Sequence, residues 1–600
     1  MTIPIETLIK VPIIYDFDTD KECKTILYSS NETGKLQLYL SATDMSTPPK
    51  MITNSEESIL GGYLSPDGNY IVYPLDKGGN EISDLYAISP EGGKSKKITP
   101  QAYRTMGITW HPNSKELSRS IITSQGSGIE TINVETGETF ILANKIPILF
   151  DIHYSHDGNW LACTAIKSFI NTEVLIVNRE DPTERIEYSL TDQSKEGIVS
   201  WSPNDKKLAF GSEAPSKALI VIQEFQGDEQ IILQLEDEEE VPISGGSAAW
   251  HPNNDLVYYP VSKHSRTIIH AHPINGDKGL ALPFPEGTVI KPCLSNNGKR
   301  MLALHSSMIS PPGIYLHELG TENVTPVTPR EFGFDLSFLQ KPSSIWYDTF
   351  DGRKIHGWYT PAKSDKISYP AIVHPHGGPW AQTFDNWVFG LFDQVLSQSG
   401  FGMLSPNYRG STGYGTEFQK LDIGDAGGGD LEDIDYAAAW LRKQPKIDPN
   451  KIAITGASYG GYMTLIALTK KPDTFVAGAA RVPVVDWLKM YKLADPFFQQ
   501  FQISLFEGKP RKEKKQLYID RSPITHVANI KAPVMISAGK SDSRCPIEPI
   551  EDFIEKLKEM DHTYEFILLE ESGHISSFFD WEESIPIFTR TVEFFKNYLV

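Results

Sequence analysis

Lys451-Ile-Ala-Ile-Thr-Gly-Ala-Ser-Tyr-Gly-Gly-Tyr-Met-Thr464 reads as strand, sharp turn and helix in immediate succession. Ile452 to Thr455 is a short β-branched run of the kind that forms a buried strand. Tyr462 to Leu468 is an apolar run of helical character. Between them, Gly456-Ala-Ser458-Tyr-Gly460 has the Gly-x-Ser-x-Gly pattern of a nucleophile elbow, a tight turn that lifts a serine hydroxyl above the end of a sheet. Side chains at 456 or 460 would collide where strand and helix close on each other, and Gly461 lets the helix start close to the sheet.

The chain around this stretch is long, 600 residues, so at least two domains are expected. Its composition, 40% hydrophobic and 22% charged, is that of a globular protein with ample core. A net charge of -21 argues against a nucleic-acid partner, because phosphate binding needs clustered Lys and Arg. The run Glu236-Asp-Glu-Glu-Glu240 reads as a solvated loop between strands. Cysteines at 23, 163, 293 and 545 form no CxxC pair, a pattern of free thiols in a reducing compartment. The first residues lack the basic and long apolar regions of a signal peptide, and no window suits a transmembrane helix. The cytoplasm, with no membrane contact, is the expected location.

Upstream of residue 335 a turn marker recurs before short strands: Ser65-Pro-Asp-Gly68, His111-Pro-Asn-Ser114, Ser155-His-Asp-Gly158, Ser202-Pro-Asn-Asp205, His251-Pro-Asn-Asn254 and Ser295-Asn-Asn-Gly298. The steps between markers are 44 to 49 residues. Pro presets φ, Asp and Asn bond their own backbone, and Gly accepts positive φ. An all-strand repeat of this length predicts a β-propeller with one blade per repeat. Lys24 to Ser29 and Leu36 to Tyr39 have the same strands without the marker and predict a seventh blade. The expected domains are therefore an N-terminal segment 1–20, a seven-bladed propeller 21–335, and a second domain 336–600. The segment from Ile3 to Ile14 is too apolar for water and is expected to pack on the second domain or on another subunit, the latter giving a homodimer.

After residue 336 strands alternate with helices: strands at 369–374, 534–537 and 564–569, helices at 387–398, 431–442 and 585–598. This alternation predicts a mostly parallel sheet with helices on both faces; the nucleophile elbow at Ser458 is the feature such a sheet carries in an α/β-hydrolase domain. There a serine nucleophile is followed in the chain by an acid and then a histidine, each after a strand. Asp542 follows the strand at 534–537, and His574 follows the strand at 564–569. His574 is read as the base for Ser458 and Asp542 as its orienting acid. Two N–H groups are needed for the oxyanion: that of Tyr459, after the nucleophile, and one from His374-Pro-His-Gly-Gly-Pro-Trp380, with Gly378 first and Gly377 second. No HExxH or carboxylate stands at ligand spacing from His374 and His376, so neither metal nor cofactor is expected.

The propeller markers, His376-Gly-Gly-Pro379, Asn407-Tyr-Arg-Gly-Ser-Thr-Gly-Tyr-Gly415, Gly427-Gly-Gly-Asp-Leu-Glu-Asp433, Gly456-Ala-Ser-Tyr-Gly-Gly461, Asp542-Ser-Arg544 and Gly573-His574 occur together. In this combination the chain resembles the prolyl oligopeptidase family of serine peptidases, in particular its acylaminoacyl peptidase branch. The resemblance spans nearly the whole chain. It implies a propeller that caps the hydrolase domain and admits short peptides to a cavity between them. It further implies release of an N-acylated amino acid from a short peptide, often with esterase activity. Asp542-Ser-Arg544 matches the family's Asp-x-Arg, which implies a substrate-binding role for Arg544. Arg409 and Arg481 are further candidates of that kind, and Asp430 and Asp433 are expected to brace a helix. Cys545 stands where the family more often has valine, a departure expected to matter little for catalysis. A dipeptidyl aminopeptidase, a broad oligopeptidase and a carboxylesterase remain alternatives.

Overall fold

A computed structural model describes the chain except residues 1, 124–125, 193, 215–216, 234, 236–238 and 244–246, and except the side chains of 217 and 513. Part of the acidic run at 236–240 therefore lies outside the described residues. Of the remainder, Glu239 is exposed and Glu240 is buried, so the run is not solvated throughout.

Seven antiparallel blades follow one another from Ile14 to Pro326, and the last packs on the first. The six markers all close the same turn. The fourth residue donates its N–H to the first residue's carbonyl oxygen at 2.8–3.0 Å, and its φ is positive in every case, from 56° at Asp205 to 78° at Gly158. The unmarked blade has this turn too. Cys23, at φ 53°, donates to the Asp20 carbonyl at 3.0 Å. Asp20-Lys-Glu-Cys23 has neither Pro nor Gly, so composition hides it. This corrects the boundary at 20/21: strand Ile14–Thr19 pairs with Thr25–Ser30 and belongs to the first blade. Among the described residues no strand is shared across the closure. Ile14, Phe17 and Ile26 pack instead against Leu302, Leu304 and Leu316 of the last blade.

The segment before the propeller forms a short helix, Ile5–Ile9. Leu8, Ile9, Val11 and Ile13 are buried against helices Trp387–Gln398 and Trp581–Leu599 of the same chain. Of the two placements expected for it, the structure has the one on the hydrolase domain.

The second domain holds one eight-stranded sheet in the order Ser343–Asp348, Lys354–Thr360, Gly402–Asn407, Tyr369–Val373, Ile447–Ala457, Gly478–Arg481, Val534–Gly539 and Tyr564–Leu569. Strands from Gly402–Asn407 onward pair in parallel. Helices Gly429–Arg442, Tyr459–Lys470 and Ile547–Glu559 cover one face, and Trp387–Gln398 and Trp581–Leu599 the other. Central strands are buried on both faces, hence their unbroken apolar runs. The parallel strands end toward the propeller, which is where such sheets carry their sites.

Candidate active site

The elbow has the strained geometry its sequence implies. Ser458 sits at φ 58° and ψ -122°, which a non-glycine residue adopts at a cost of about 1–3 kcal/mol. A Cβ on Gly456 would lie 2.5 Å from the Gly460 carbonyl carbon, and one on Gly460 would lie 2.2 Å from the Pro375 carbonyl oxygen. Both glycines are thus required by close backbone approach. Tyr459 opens helix Tyr459–Lys470, so its N–H has no partner within that helix. Its hydroxyl donates to Asp430 Oδ2 at 2.6 Å, which fixes the residue after Ser458 from behind. Burial pushes the Asp430 carboxyl up to about 6, against hydrogen bonds from Tyr459 and from the N–H groups of Gly427 and Leu431. Asp430 and Asp433 brace this region, as expected.

Asp542 and His574 meet from two different strand ends. His574 Nδ1 lies 2.7 Å from Asp542 Oδ2, with both side chains buried. The other carboxylate oxygen, Oδ1, accepts the N–H groups of Arg544 and Cys545, each at 2.8 Å. The Asp-Ser-Arg-Cys turn therefore holds one oxygen and presents the other to the imidazole. The Cys545 thiol is in the same cluster. It is within hydrogen-bonding reach of the Ser458 side chain, and its Sγ and donor atoms of Asp542 and His574 lie within 4.8 Å of one another. Burial pushes the thiol's pKa well above its usual range.

Ser458, His574, Gly377, Gly378 and Arg544 line one cavity of about 360 Å³, mostly apolar, with Val388, Phe392, Phe578 and Phe588 in its wall. Gly377 is packed against the nucleophile's residue: a Cβ there would be 3.3 Å from Ser458 Cβ. Gly378 stands at φ 130°, which suits glycine. The preceding His376 is buried, and burial pushes its pKa down to about 4, so it is neutral. It stacks on Tyr408 with ring centroids 4.4 Å apart, and its Nε2 bonds Ser411 Oγ at 2.8 Å. These contacts steady the glycine pair.

Of the three arginines expected at the substrate, Arg544 and Arg481 line this cavity and Arg409 does not. Arg544 gives only Nε to a protein partner, Glu81 Oε1 at 2.6 Å, and its two terminal nitrogens are free among the described residues. Arg409 does not reach the cavity, which corrects its expected substrate-binding role. Its Nε and Nη2 hold Asp433 at 2.9 and 2.8 Å, its Nη1 pairs with Asp351 at 3.2 Å, and the guanidinium lies over Phe350. Two carboxylates consume it.

Sequence reasoning missed the propeller's contribution. Glu81 bonds both Arg544 and Arg104, and Arg104 continues to Asp495 at 2.7 Å and Ser543 Oγ at 2.9 Å. Beside Glu81, Gly79 touches the histidine loop. A Cβ on Gly573 would fall 1.8 Å from the Gly79 carbonyl oxygen. The only local signal was the adjacent pair Gly78-Gly79, both at positive φ. These groups border a second cavity of about 340 Å³ that shares Tyr15, Arg544, Ile575 and Phe579 with the first.

Residues 387–600 match the model of the prolyl oligopeptidase family. Dipeptidyl aminopeptidase BIII of Pseudoxanthomonas mexicana is 23% identical over 568 residues, 90% of this chain and 81% of that one. The acylamino-acid-releasing enzyme of Rattus norvegicus is 29% identical over 217 residues, 36% of this chain and 29% of that one. The structure of a Mycobacterium tuberculosis puromycin-hydrolyzing peptidase has the same fold, with a TM-score of 0.86 at 18% identity, covering 100% of this chain and 96% of that one. The matched catalytic domain is that of the prolyl oligopeptidase family, other proteins resemble the chain across the propeller as well, and the chain is a serine peptidase.

Proposed function

We propose that this peptidase releases an N-acylated amino acid from the N-terminus of short peptides through an acyl-enzyme on Ser458. The observation that carries the chemistry is the 2.7 Å bond between His574 Nδ1 and Asp542 Oδ2 at the wall of the cavity that also exposes Ser458. Asp542 fixes the imidazole so that Nε2 is the acceptor. His574 takes the Ser458 proton as Oγ attacks the scissile carbonyl. The N–H groups of Tyr459 and Gly378, with Gly377 as the second choice, hold the oxyanion. The proton then passes from His574 to the departing amine, and water releases the acylated residue by the same steps. Arg544 presents its free terminal nitrogens to a substrate carbonyl. The propeller covers the site, so the reading is confined to short peptides. The same reading includes a homodimer and a cytoplasmic location, checked by light scattering and by fractionation.

A second reading, dipeptidyl aminopeptidase, is favoured by the adjoining cavity. Six carboxylates line it, Glu57, Asp76, Glu81, Glu571, Asp580 and Glu583, against Lys35, Arg104 and Arg544. An acidic surplus of this kind suits a free ammonium group, and a full-length relative is named for that activity. One panel separates the readings: an acetyl-aminoacyl anilide, a Gly-Pro anilide and a p-nitrophenyl ester, with wild type and Ser458→Ala. Faster turnover of the acetylated substrate supports the first reading, and faster turnover of the free amine replaces it with the second. Undiminished turnover by Ser458→Ala removes both.

A further inference from the structure

Arg481 has no role in the steps above, yet its environment is the least balanced of any cation at the site. It ends strand Gly478–Arg481, beside the elbow strand, and its carbonyl oxygen accepts the Ser458 N–H at 2.9 Å. Its side chain lines the cavity that holds Ser458 and His574, and the residue is only 8% exposed. Nε and Nη2 are both buried without a hydrogen-bond partner. Among the described residues no carboxylate forms an ion pair with it, and Glu583, whose charge acts on it, accepts a hydrogen bond from Ser572 Oγ at 2.7 Å. Only aromatic faces attend the charge. The guanidinium carbon lies 3.5 Å from the Phe578 ring centroid and 5.7 Å from that of Phe588.

A buried guanidinium without a carboxylate is unfavourable, because the lost hydration is not replaced. Arginine is retained at such places where a planar anion completes it, since its forked donors match a carboxylate in two parallel bonds. Here the open volume beside the side chain is the cavity itself. The Phe578 ring covers one face of the guanidinium and holds its plane, which leaves the donor edge to meet a ligand. The rest of the wall is largely apolar, and its other arginine, Arg544, is already paired through Nε with Glu81. Arg409, by contrast, shows what this chain does with a structural arginine: it supplies two carboxylates.

We infer that Arg481 is a carboxylate anchor within the substrate cavity, and that the peptidase selects peptides whose C-terminal or side-chain carboxylate reaches it. The inference rests on the reading of this cavity as the substrate site. It is independent of whether the substrate's amino end is acylated or free.

The experiment compares two matched pairs of short acetylated peptides in wild type, Arg481→Met and Arg481→Lys. One pair differs only at the C-terminus, free acid against amide. The other, amidated throughout, differs only in Glu against Gln. Charge-assisted bonds of this kind lead to an expected preference of about ten- to hundredfold in kcat/KM for the acid member of one pair. A preference in the terminal pair assigns the anchor to the peptide's end, and one in the side-chain pair assigns it to an acidic residue. Arg481→Met should bring the ratio near unity and Arg481→Lys should restore part of it. Equal rates within both pairs in wild type, or a preference that Arg481→Met leaves intact, overturn the inference. Should Arg481→Met not fold, competitive inhibition of wild type by 4-phenylbutyrate against its amide decides the matter: equal inhibition overturns it. Undiminished turnover by Ser458→Ala in the same assay would instead bring down the underlying site reading.

Discussion

Asp542→Asn probes the proposed relay most sharply, because the structure dictates which way the new amide must face. Asp542 Oδ1 accepts two backbone N–H groups at 2.8 Å, and Oδ2 faces His574 Nδ1 at 2.7 Å. Asparagine has one acceptor and one donor group in place of two acceptors. Its oxygen must stay with the two N–H donors. The flipped amide would set NH₂ against them and leave two buried donors unpaired, at about 1–3 kcal/mol each. The NH₂ group therefore points at His574 Nδ1, which becomes an acceptor, and the ring proton moves to Nε2. In that tautomer the imidazole faces Ser458 with a donor and cannot take its proton. A loss of about 10⁴ in kcat is expected, roughly 5.4 kcal/mol of barrier. KM should change little, since the substrate does not touch residue 542. Steady-state hydrolysis of the preferred anilide measures both, with circular dichroism to show that the variant is folded. A folded Asp542→Asn enzyme within about tenfold of wild type would refute the tautomer argument.

Other perturbations address how the rest of the molecule supports the site. Glu81→Gln removes the carboxylate shared by Arg104 and Arg544, both of which remain partly paired or solvated, so a stability loss of about 1–3 kcal/mol in urea unfolding is expected, with a lower kcat/KM. Burial raises the Glu81 carboxyl, but Arg544 and Arg104 outweigh it and hold its pKa below the usual value. Its contribution should therefore be present above that usual value and fade as pH falls through the lowered one. Asp430 behaves oppositely. Its pKa, raised by burial to about 6, makes its contribution full below about 4 and lost as pH rises through 6. The stability difference between wild type and Asp430→Asn should shift against wild type by about 2 kcal/mol between pH 4 and pH 7, and a constant difference would contradict the raised pKa. Gly573→Ala must push the histidine loop off Gly79, and a displacement of about 1 Å there should lower kcat by about 10²-fold. Burial raises the pKa of all four thiols above their usual range, to about 12 at Cys23. Iodoacetamide at pH 8 should label the native protein slowly and the urea-unfolded protein fast.

What could be read without the structure is what short-range chemistry encodes. Helix 387–398 and strand 564–569 fall where the apolar pattern puts them, because period and length are properties of contiguous residues. The helix behind the elbow runs further than its apolar core, over Tyr459–Lys470, because Tyr459 to Gly461 are helical through close packing rather than through propensity. Six of seven blade turns carried the recurring marker, while the turn at Asp20–Cys23 kept the geometry without Pro or Gly.

The order Ser458, Asp542, His574 was legible by itself, since in this architecture each residue follows its own strand. The partners of the arginines were not. Arg409 follows a sheet strand and Arg481 ends one, and both look like substrate ligands in sequence, yet one meets two carboxylates and the other phenylalanine rings. Glu81 reaches Arg544 from 463 residues away. Turn type, strand period and chain order are local or topological, and the sequence alone determined them. Which charge meets which, and which is left to a ligand, depends on long-range packing within the hydrolase domain and across its seam with the propeller, and only the tertiary structure decided it.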